Sequence, residues 1–158
     1  MADSCPTGAV EKAGTAMITA AKSGSPSAFA GALRNYADMN SIAMFALGRY
    51  KSSLPAGQRD DYVNAVTSYV SRTLNDFRLK FNAESIKVKD CDGPIVNSSI
   101  FFLGGKGYQP VLWRMKGSRV ADVNVQNVWL AQLLRDNVTG ILDRNNGNFK
   151  ALMAELKK

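Results

Sequence analysis

The spacing of apolar residues changes twice along the chain, and this pattern constrains the fold more than any single motif. Up to about Asn82 apolar residues recur every three or four positions, which predicts amphipathic helices. Between residues 84 and 126 they alternate with polar ones, which predicts strands, and from residue 128 the helical spacing returns. Helices, then a block of strands, then helices indicate an α+β fold with the helices packed on one sheet face.

The predicted sheet has four strands joined by short segments that contain glycine. The strands are expected around residues 86–90, 96–103, 108–115 and 119–126. Connections this short join antiparallel neighbours, so the sheet should be an antiparallel meander. The Gly-Gly-Lys-Gly segment at 104–107 is interpreted as one of these turns, because a strand follows it where a phosphate-binding loop needs a helix.

The three blocks together have the size of one domain. A length of 158 residues is typical of a single domain with its own hydrophobic core. We place N-terminal helices at 8–81, the sheet at 84–126 and C-terminal helices at 128–157. The longest helix should start near Leu54-Pro55, and its apolar stripe, which includes Tyr62 and Tyr69, is long enough to cover a sheet.

The absence of histidine removes most of the usual catalytic chemistry. Without it neither a Ser-His-Asp nor a Cys-His nucleophile system can be built, and an HExxH zinc site is excluded. Two cysteines are too few for a structural zinc or iron–sulfur centre. We therefore expect no enzyme, no metal site and no cofactor. Cys5 and Cys91 either form one disulfide or remain separate thiols, and the sequence leaves both possibilities open.

The net charge of +7 is spread along the chain without a run of basic residues. Aromatic residues are not interleaved with arginines as they are in single-strand nucleic-acid binders, so no nucleic-acid partner is expected. The charge then serves solubility, or it attracts an anionic partner such as a lipid headgroup, a membrane surface or an acidic protein.

Asp122 is unusual because it lies among valines on the last predicted strand. It is either an edge carboxylate or the partner of an arginine, Arg135 or Arg114, at the junction between that strand and the next helix. A third interpretation makes Asp122 the general base of an enzyme with an apolar pocket.

Large apolar side chains are numerous for a small domain, with seven phenylalanines, six methionines, five tyrosines and two tryptophans. They can fill a solid core. They can also line a ligand cavity, since a curved sheet covered by a long helix is able to leave one. Composition does not distinguish the two.

Two ordered sets of residues resemble the MlaC-like periplasmic lipid-binding proteins, also called the toluene-tolerance auxiliary family. The first set runs from Leu-Gly-Arg-Tyr at 47–50 through Gln58-Arg59 to Tyr69, and it is similar to a helical segment of the family. The second set, Val-Leu-Trp-Arg-Met at 111–115 followed by Val-Ala-Asp-Val at 120–123, is similar to a strand hairpin of the family. The segment at 149–156 resembles the family's C-terminal helix. The resemblance covers roughly residues 28–156.

The resemblance implies an NTF2-like fold, in which a four-stranded antiparallel curved sheet is cupped by N-terminal and C-terminal helices around an apolar cavity. The whole chain, 1–158, would then be a single lipid-binding domain.

The resemblance also implies a periplasmic carrier that shuttles phospholipid in an Mla-type ABC transport system, which maintains outer-membrane lipid asymmetry. The implied partners are the phospholipid, an outer-membrane lipoprotein complex and an inner-membrane ABC transporter with its ring of substrate-binding domains. The first residues lack the features of a secretory signal, so the protein is either cytosolic or a mature form without its signal. The resemblance implies the second, a periplasmic protein. The alternatives are a carrier of another apolar lipid such as a hopanoid, and an NTF2-like enzyme that uses Asp122.

The sidedness of the elements and the resemblance together predict the site. The expected cavity wall comprises Phe45, Tyr62, Val66, Tyr69, Leu74, Val111, Trp113, Val123, Val125, Leu130, Leu134 and Val138. The cations expected at a headgroup or partner rim are Arg49, Lys51, Arg114, Lys116 and Arg119. Asp122 and Arg135 are expected to be structural.

Overall fold

The computed structural model describes residues 5–158, except the side chain of Phe81. Residues 1–4, which belong to the segment where no secretory signal was found, lie outside the described residues. The helices are α1 (Thr7–Ser23), α2 (Pro26–Tyr36), α3 (Met39–Ala46), α4 (Arg59–Phe81), α5 (Leu130–Arg144) and α6 (Phe149–Leu156). The strands are β1 (Ala83–Asp92), β2 (Ile95–Phe102), β3 (Tyr108–Lys116), β4 (Arg119–Val125) and β5 (Val128–Trp129).

Local backbone chemistry sets the ends of the helices. Helix α1 ends at Gly24, whose φ of 71° is the left-handed conformation that glycine adopts without strain. Helix α2 begins with Pro26 in its first turn, where a missing N–H costs nothing. Helix α4 begins at Arg59, later than predicted, because Pro55 is extended with ψ of 139° and a short 3₁₀ turn follows it.

The sheet is antiparallel, and its order β1-β2-β3-β4-β5 follows the chain, which confirms the predicted meander. The prediction of four strands was wrong, because β5 adds a fifth through the pairs Val125↔Val128 and Asn124↔Trp129. Gln126 and Asn127 join β4 to β5 with φ of 54° and 66°, as a two-residue hairpin turn requires. A strand of two residues is too short to show alternation, so the sequence pattern predicts these residues as the start of the following helix.

The core lies between the inner face of the sheet and the helices that cover it. On β3 buried residues alternate with exposed ones, and Val111, Trp113 and Met115 point inwards as their spacing predicts. The fully buried side chains include Tyr62 of α4, Leu142 of α5 and, on α6, Leu152 and Leu156. An α+β fold with helices flanking an antiparallel sheet is therefore confirmed.

A disulfide joins Cys5, just before α1, to Cys91 in β1, with 5.8 Å between their Cα atoms. Helix α1 packs closely on the same strand, since a Cβ atom at Gly14 would lie 2.5 Å from Cδ1 of Ile86. The bond and the contact together hold α1 against the edge of the sheet. Within residues 5–158 no helix has both the length and the hydrophobicity that crossing a bilayer requires.

Candidate functional site

A cavity of about 280 Å³ lies between the inner face of the sheet and the helices α1, α2, α3, α4 and α5. Its wall is mostly hydrocarbon, and Arg78, Gln109 and Asp122 contribute its polar side chains. The helical side of the wall includes Gly14, Met17, Ile18, Ala21, Phe29, Leu33, Val70, Leu74, Leu130 and Leu134. The sheet side includes Ile100, Phe102, Val111, Trp113, Val120, Val123 and Val125.

Strand pairing makes the sheet side of the wall apolar. Val111 pairs with Val125, and Trp113 pairs with Val123, so these four side chains share the inner face. The indole nitrogen of Trp113 donates to Oγ of Ser98 at 2.8 Å, and that hydroxyl donates to the carbonyl of Val111. Because the indole N–H of Trp113 and the hydroxyl of Ser98 both have partners, this part of the wall presents hydrocarbon to the cavity.

One end of the cavity is sealed by contacts between α2 and β4. Ala37 forms a bridge with Val120, and the N–H of Asp38 donates to the carbonyl of Val120 at 2.9 Å. The guanidinium of Arg119 donates to the carbonyls of Arg34 and Ala37, each at 2.9 Å. Ala37 and Val120 are both only 6% exposed, so this end does not open to solvent.

The other end of the cavity reaches the surface. It is lined by Arg78 near the end of α4, Phe102 at the end of β2 and Gln109 at the start of β3. The chain neighbours of these residues are apolar but exposed, namely Phe77 (44%), Leu79 (73%), Leu103 (38%) and Tyr108 (56%). Arg78, Phe102 and Gln109 are themselves half-buried, so this end of the cavity is accessible beside Arg78.

Seven of the twelve predicted wall residues line this cavity. They are Leu74, Val111, Trp113, Val123, Val125, Leu130 and Leu134. Most of them lie on β3 and β4, where the alternation of the strand identifies the inner face. Their contact with a ligand stays a prediction.

The other five predicted wall residues lie elsewhere. Tyr62, Val66 and Val138 are fully buried in the core, and the hydroxyl of Tyr62 donates to the carbonyl of Ala43 at 2.6 Å. Burial raises the pKa of Tyr62, which stays neutral. Tyr69 is half-buried against the same core, and Phe45 is 41% exposed. The first half of α4 packs on other helices, so only its second half, from Val70, faces the cavity.

Two of the five predicted rim cations lie at the sealed end, away from the opening. Arg119 holds the end of α2, as described above, and Nζ of Lys116 lies 3.6 Å from the carboxylate of Asp38. Both side chains strengthen the seal, so the sealed end rather than the opening carries these charges.

The other three rim cations also lie off the cavity wall. Arg49 is paired with Asp143, and the guanidinium of Arg114 lies 4.5 Å from the ring centroid of Trp129. Lys51 lines a second pocket, together with Arg49 and Arg59. A role of these cations in docking a partner stays a prediction.

Asp122 binds two backbone N–H groups, and its partner is not an arginine. Its Oδ1 accepts hydrogen bonds from the N–H groups of Val123 and Ala131, both at 2.8 Å. It thus ties β4 to the first turn of α5, where the helix dipole favours a negative charge. Within residues 5–158 Asp122 forms no ion pair, so the predicted arginine pairing was wrong.

Arg135 contacts Phe45 and Gly48 and not Asp122. Its guanidinium lies 5.0 Å from the ring centroid of Phe45 and next to Gly48. The contact joins α5 to the end of α3, and a structural role of Arg135 stays a prediction.

Sequence reasoning missed the wall contributed by α1 and α2 and the cation at the opening. Met17 and Ala21 of α1, and Phe29 and Leu33 of α2, recur at helical spacing, but spacing does not tell which neighbour a helix covers. Arg78 follows Leu74 by four positions on α4, and this spacing is the signal that could have placed it on the cavity face.

Comparison with known proteins gives a family and a fold. The family model described as "MlaC protein" matches residues 12–158. The fold is similar to the solved structure of the phospholipid-binding protein from Ralstonia solanacearum in complex with a phospholipid, with a TM-score of 0.75. The two chains are 14% identical, and the similarity covers 97% of this chain and 95% of the other. Comparison with curated proteins gives no match. Since the family match extends from α1 to the end of α6, the chain belongs to the MlaC protein family.

Proposed function

We propose that this protein is a periplasmic lipid carrier whose cavity holds the acyl chains of a phospholipid. The observation that supports this most directly is the apolar cavity, which is closed at Ala37 and Val120 and lined by the half-buried Arg78 at its other end. Each CH₂ group that leaves water contributes about 0.8 kcal/mol, so a hydrocarbon wall binds acyl chains without any catalytic group. The Ralstonia protein of similar fold was solved with a phospholipid, which is consistent with the proposal.

The carrier would work within an Mla-type ABC transport system, as membership of the MlaC family suggests. It would receive phospholipid from one membrane complex, cross the periplasm and release it to another without breaking a bond. The outer-membrane lipoprotein complex and the ring of substrate-binding domains on the inner-membrane transporter are the proposed partners. The assignment of the fold to the NTF2-like class belongs to the same proposal.

The volume of the cavity bears on how a lipid with two acyl chains can be bound. A volume of about 280 Å³ lies just below the range of about 300–1,000 Å³ typical of ligand pockets. We infer that the cavity widens when a lipid with two chains enters. The mass of the bound lipid reports the number of chains.

The test is native mass spectrometry of the protein purified gently from a bacterial periplasm. We expect a bound species whose mass is that of a phospholipid. If the bound species has the mass of a hopanoid, the ligand is the alternative lipid and not a phospholipid. Protein that carries no lipid, and that acquires none from phospholipid vesicles, would contradict the proposal.

A matched pair of variants links the bound lipid to the cavity. Leu130→Trp adds bulk to the cavity wall, whereas Leu133→Trp adds the same bulk on α5 at a side chain that is 49% exposed. We expect Leu130→Trp to lower the lipid-bound fraction several-fold and Leu133→Trp to leave it near the wild-type value. Thermal unfolding of both variants controls for folding. Equal lipid occupancy in two folded variants would place the lipid outside this cavity.

A further inference from the structure

We propose that Arg78 binds the phosphate group of the carried lipid at the open end of the cavity. The inference rests on the proposed function and deepens it, because it assigns the ligand class: an amphiphile with a phosphate next to its acyl chains. None of the cations predicted for the headgroup lines the cavity, whereas Arg78 does.

The position of Arg78 suits a headgroup rather than an acyl chain. Val70, Leu74 and Arg78 follow one another at four-residue steps along α4 and line the cavity together. Arg78 is the last of the three and is half-buried, beside the exposed Phe77 and Leu79. An acyl chain that extends towards the sealed end therefore leaves the polar end of its lipid near the guanidinium.

The guanidinium of Arg78 has donors to spare. Its Nη1 donates to the carbonyl of Asn75 at 2.7 Å, which uses one of the five N–H groups of an arginine. Within residues 5–158 Arg78 forms no ion pair with a carboxylate. A phosphate can accept two parallel N–H···O hydrogen bonds from a guanidinium, one on each of two oxygens, a geometry that lysine lacks.

The neighbouring backbone holds the guanidinium in place without neutralising its charge. A Cβ atom at Gly24 would lie 3.5 Å from Nε of Arg78, so the side chain lies against the bare backbone at the end of α1. The carbonyl end of a helix favours a nearby cation. This arrangement fixes the side chain before the ligand arrives, and a preorganised cation binds an anion with less loss of entropy.

The test compares two lipids with identical acyl chains, phosphatidic acid and diacylglycerol, which differ in the phosphate alone. Wild-type protein is incubated with vesicles that contain both, and native mass spectrometry gives the ratio of the two bound forms. We expect the wild type to prefer phosphatidic acid about tenfold, the difference that corresponds to about 1.4 kcal/mol. Arg78→Gln should reduce the preference to about twofold or less.

Two further variants keep the test specific. Lys80→Gln removes the same charge from α4 at a side chain that lies over the ring of Phe77, so the preference should stay near tenfold. Arg78→Lys keeps the charge but loses the bidentate geometry and should give an intermediate preference.

The outcomes separate this inference from the proposed function. If folded Arg78→Gln still binds lipid and still prefers phosphatidic acid about tenfold, the role of Arg78 is overturned and the proposed carrier function stands. Binding of neither lipid by the wild type would overturn both. Excess inorganic phosphate should leave the preference unchanged, because the bound acyl chains hold the lipid phosphate at a high effective concentration. If excess inorganic phosphate abolishes the preference for phosphatidic acid, Arg78 binds the free anion, and its assignment to the lipid phosphate is overturned.

Discussion

Polar side chains near the cavity mostly bind backbone groups, and this keeps the wall apolar. The carboxylate of Asp122 accepts two backbone N–H groups, and the guanidinium of Arg119 donates to two backbone carbonyls. The hydroxyl of Ser98 accepts a hydrogen bond from the indole N–H of Trp113. A buried polar group without a partner costs about 1–3 kcal/mol, so these bonds allow polar residues beside an apolar cavity at little cost.

Removal of the Asp122 carboxylate should therefore destabilise the protein. We expect Asp122→Ala to lower the free energy of unfolding by about 1–2 kcal/mol, because the N–H groups of Val123 and Ala131 lose their acceptor. Urea denaturation followed by circular dichroism measures the change. Asp136→Ala removes an exposed carboxylate on α5; it is the control and should change the stability by less than about 0.5 kcal/mol. Equal stability of the two variants would contradict the capping role.

At the scale of single elements, the start of α3 is the junction on which the sealed end depends. Oδ1 of Asp38 accepts the N–H of Ser41 at 3.1 Å, its Oδ2 accepts the Ser41 hydroxyl, and Lys116 lies nearby. Partial burial acts to raise the pKa of Asp38, but the two hydrogen bonds and the charge of Lys116 outweigh it. The pKa is therefore lowered from the ordinary value of 3.8.

This shift predicts how stability depends on pH. Since the folded pKa of Asp38 is below the unfolded value of 3.8, the ionised carboxylate stabilises the fold above that pH. The contribution is lost as the pH falls through the folded pKa. The difference in unfolding free energy between wild type and Asp38→Asn should thus be largest near neutral pH and narrow below about pH 4. Urea titrations at several pH values measure it, and a constant difference would contradict the coupling.

The elements differ in how far the sequence predicts them. Val123 and Val125 could be placed on the cavity because a strand has two faces and alternation separates them. The helical stripe of α4 includes both Val66 and Leu74, yet the first lies in the core and the second on the cavity. Which neighbour a stripe meets depends on packing between distant elements. Arg78 was missed for a related reason, since a cation in the last turn of a helix is also explained by the helix dipole.

At the scale of the whole molecule, the cavity depends on how α1 is attached to the sheet. Helix α1 contributes Gly14, Met17, Ile18 and Ala21 to the wall. The disulfide between Cys5 and Cys91 ties the start of this helix to β1 across 86 residues of chain. A movable α1 would widen the cavity, whereas a detached α1 would expose it. The bond therefore sets how far this wall can open.

Loss of the disulfide should lower both stability and lipid retention. A cross-link that closes a loop of this length typically contributes about 2–5 kcal/mol, largely by restricting the unfolded chain. We expect the double variant Cys5→Ser, Cys91→Ser to lose about that much in urea denaturation, and reductant should bring the wild type to the same stability without affecting the variant. Lipid should leave the variant faster, because a freer α1 exposes the apolar wall. If stability falls while lipid retention stays unchanged, the apolar contacts of α1 are sufficient to keep it on the cavity, and the predicted effect of the disulfide on lipid retention is wrong. Equal stability with and without reductant would contradict the predicted contribution of the disulfide.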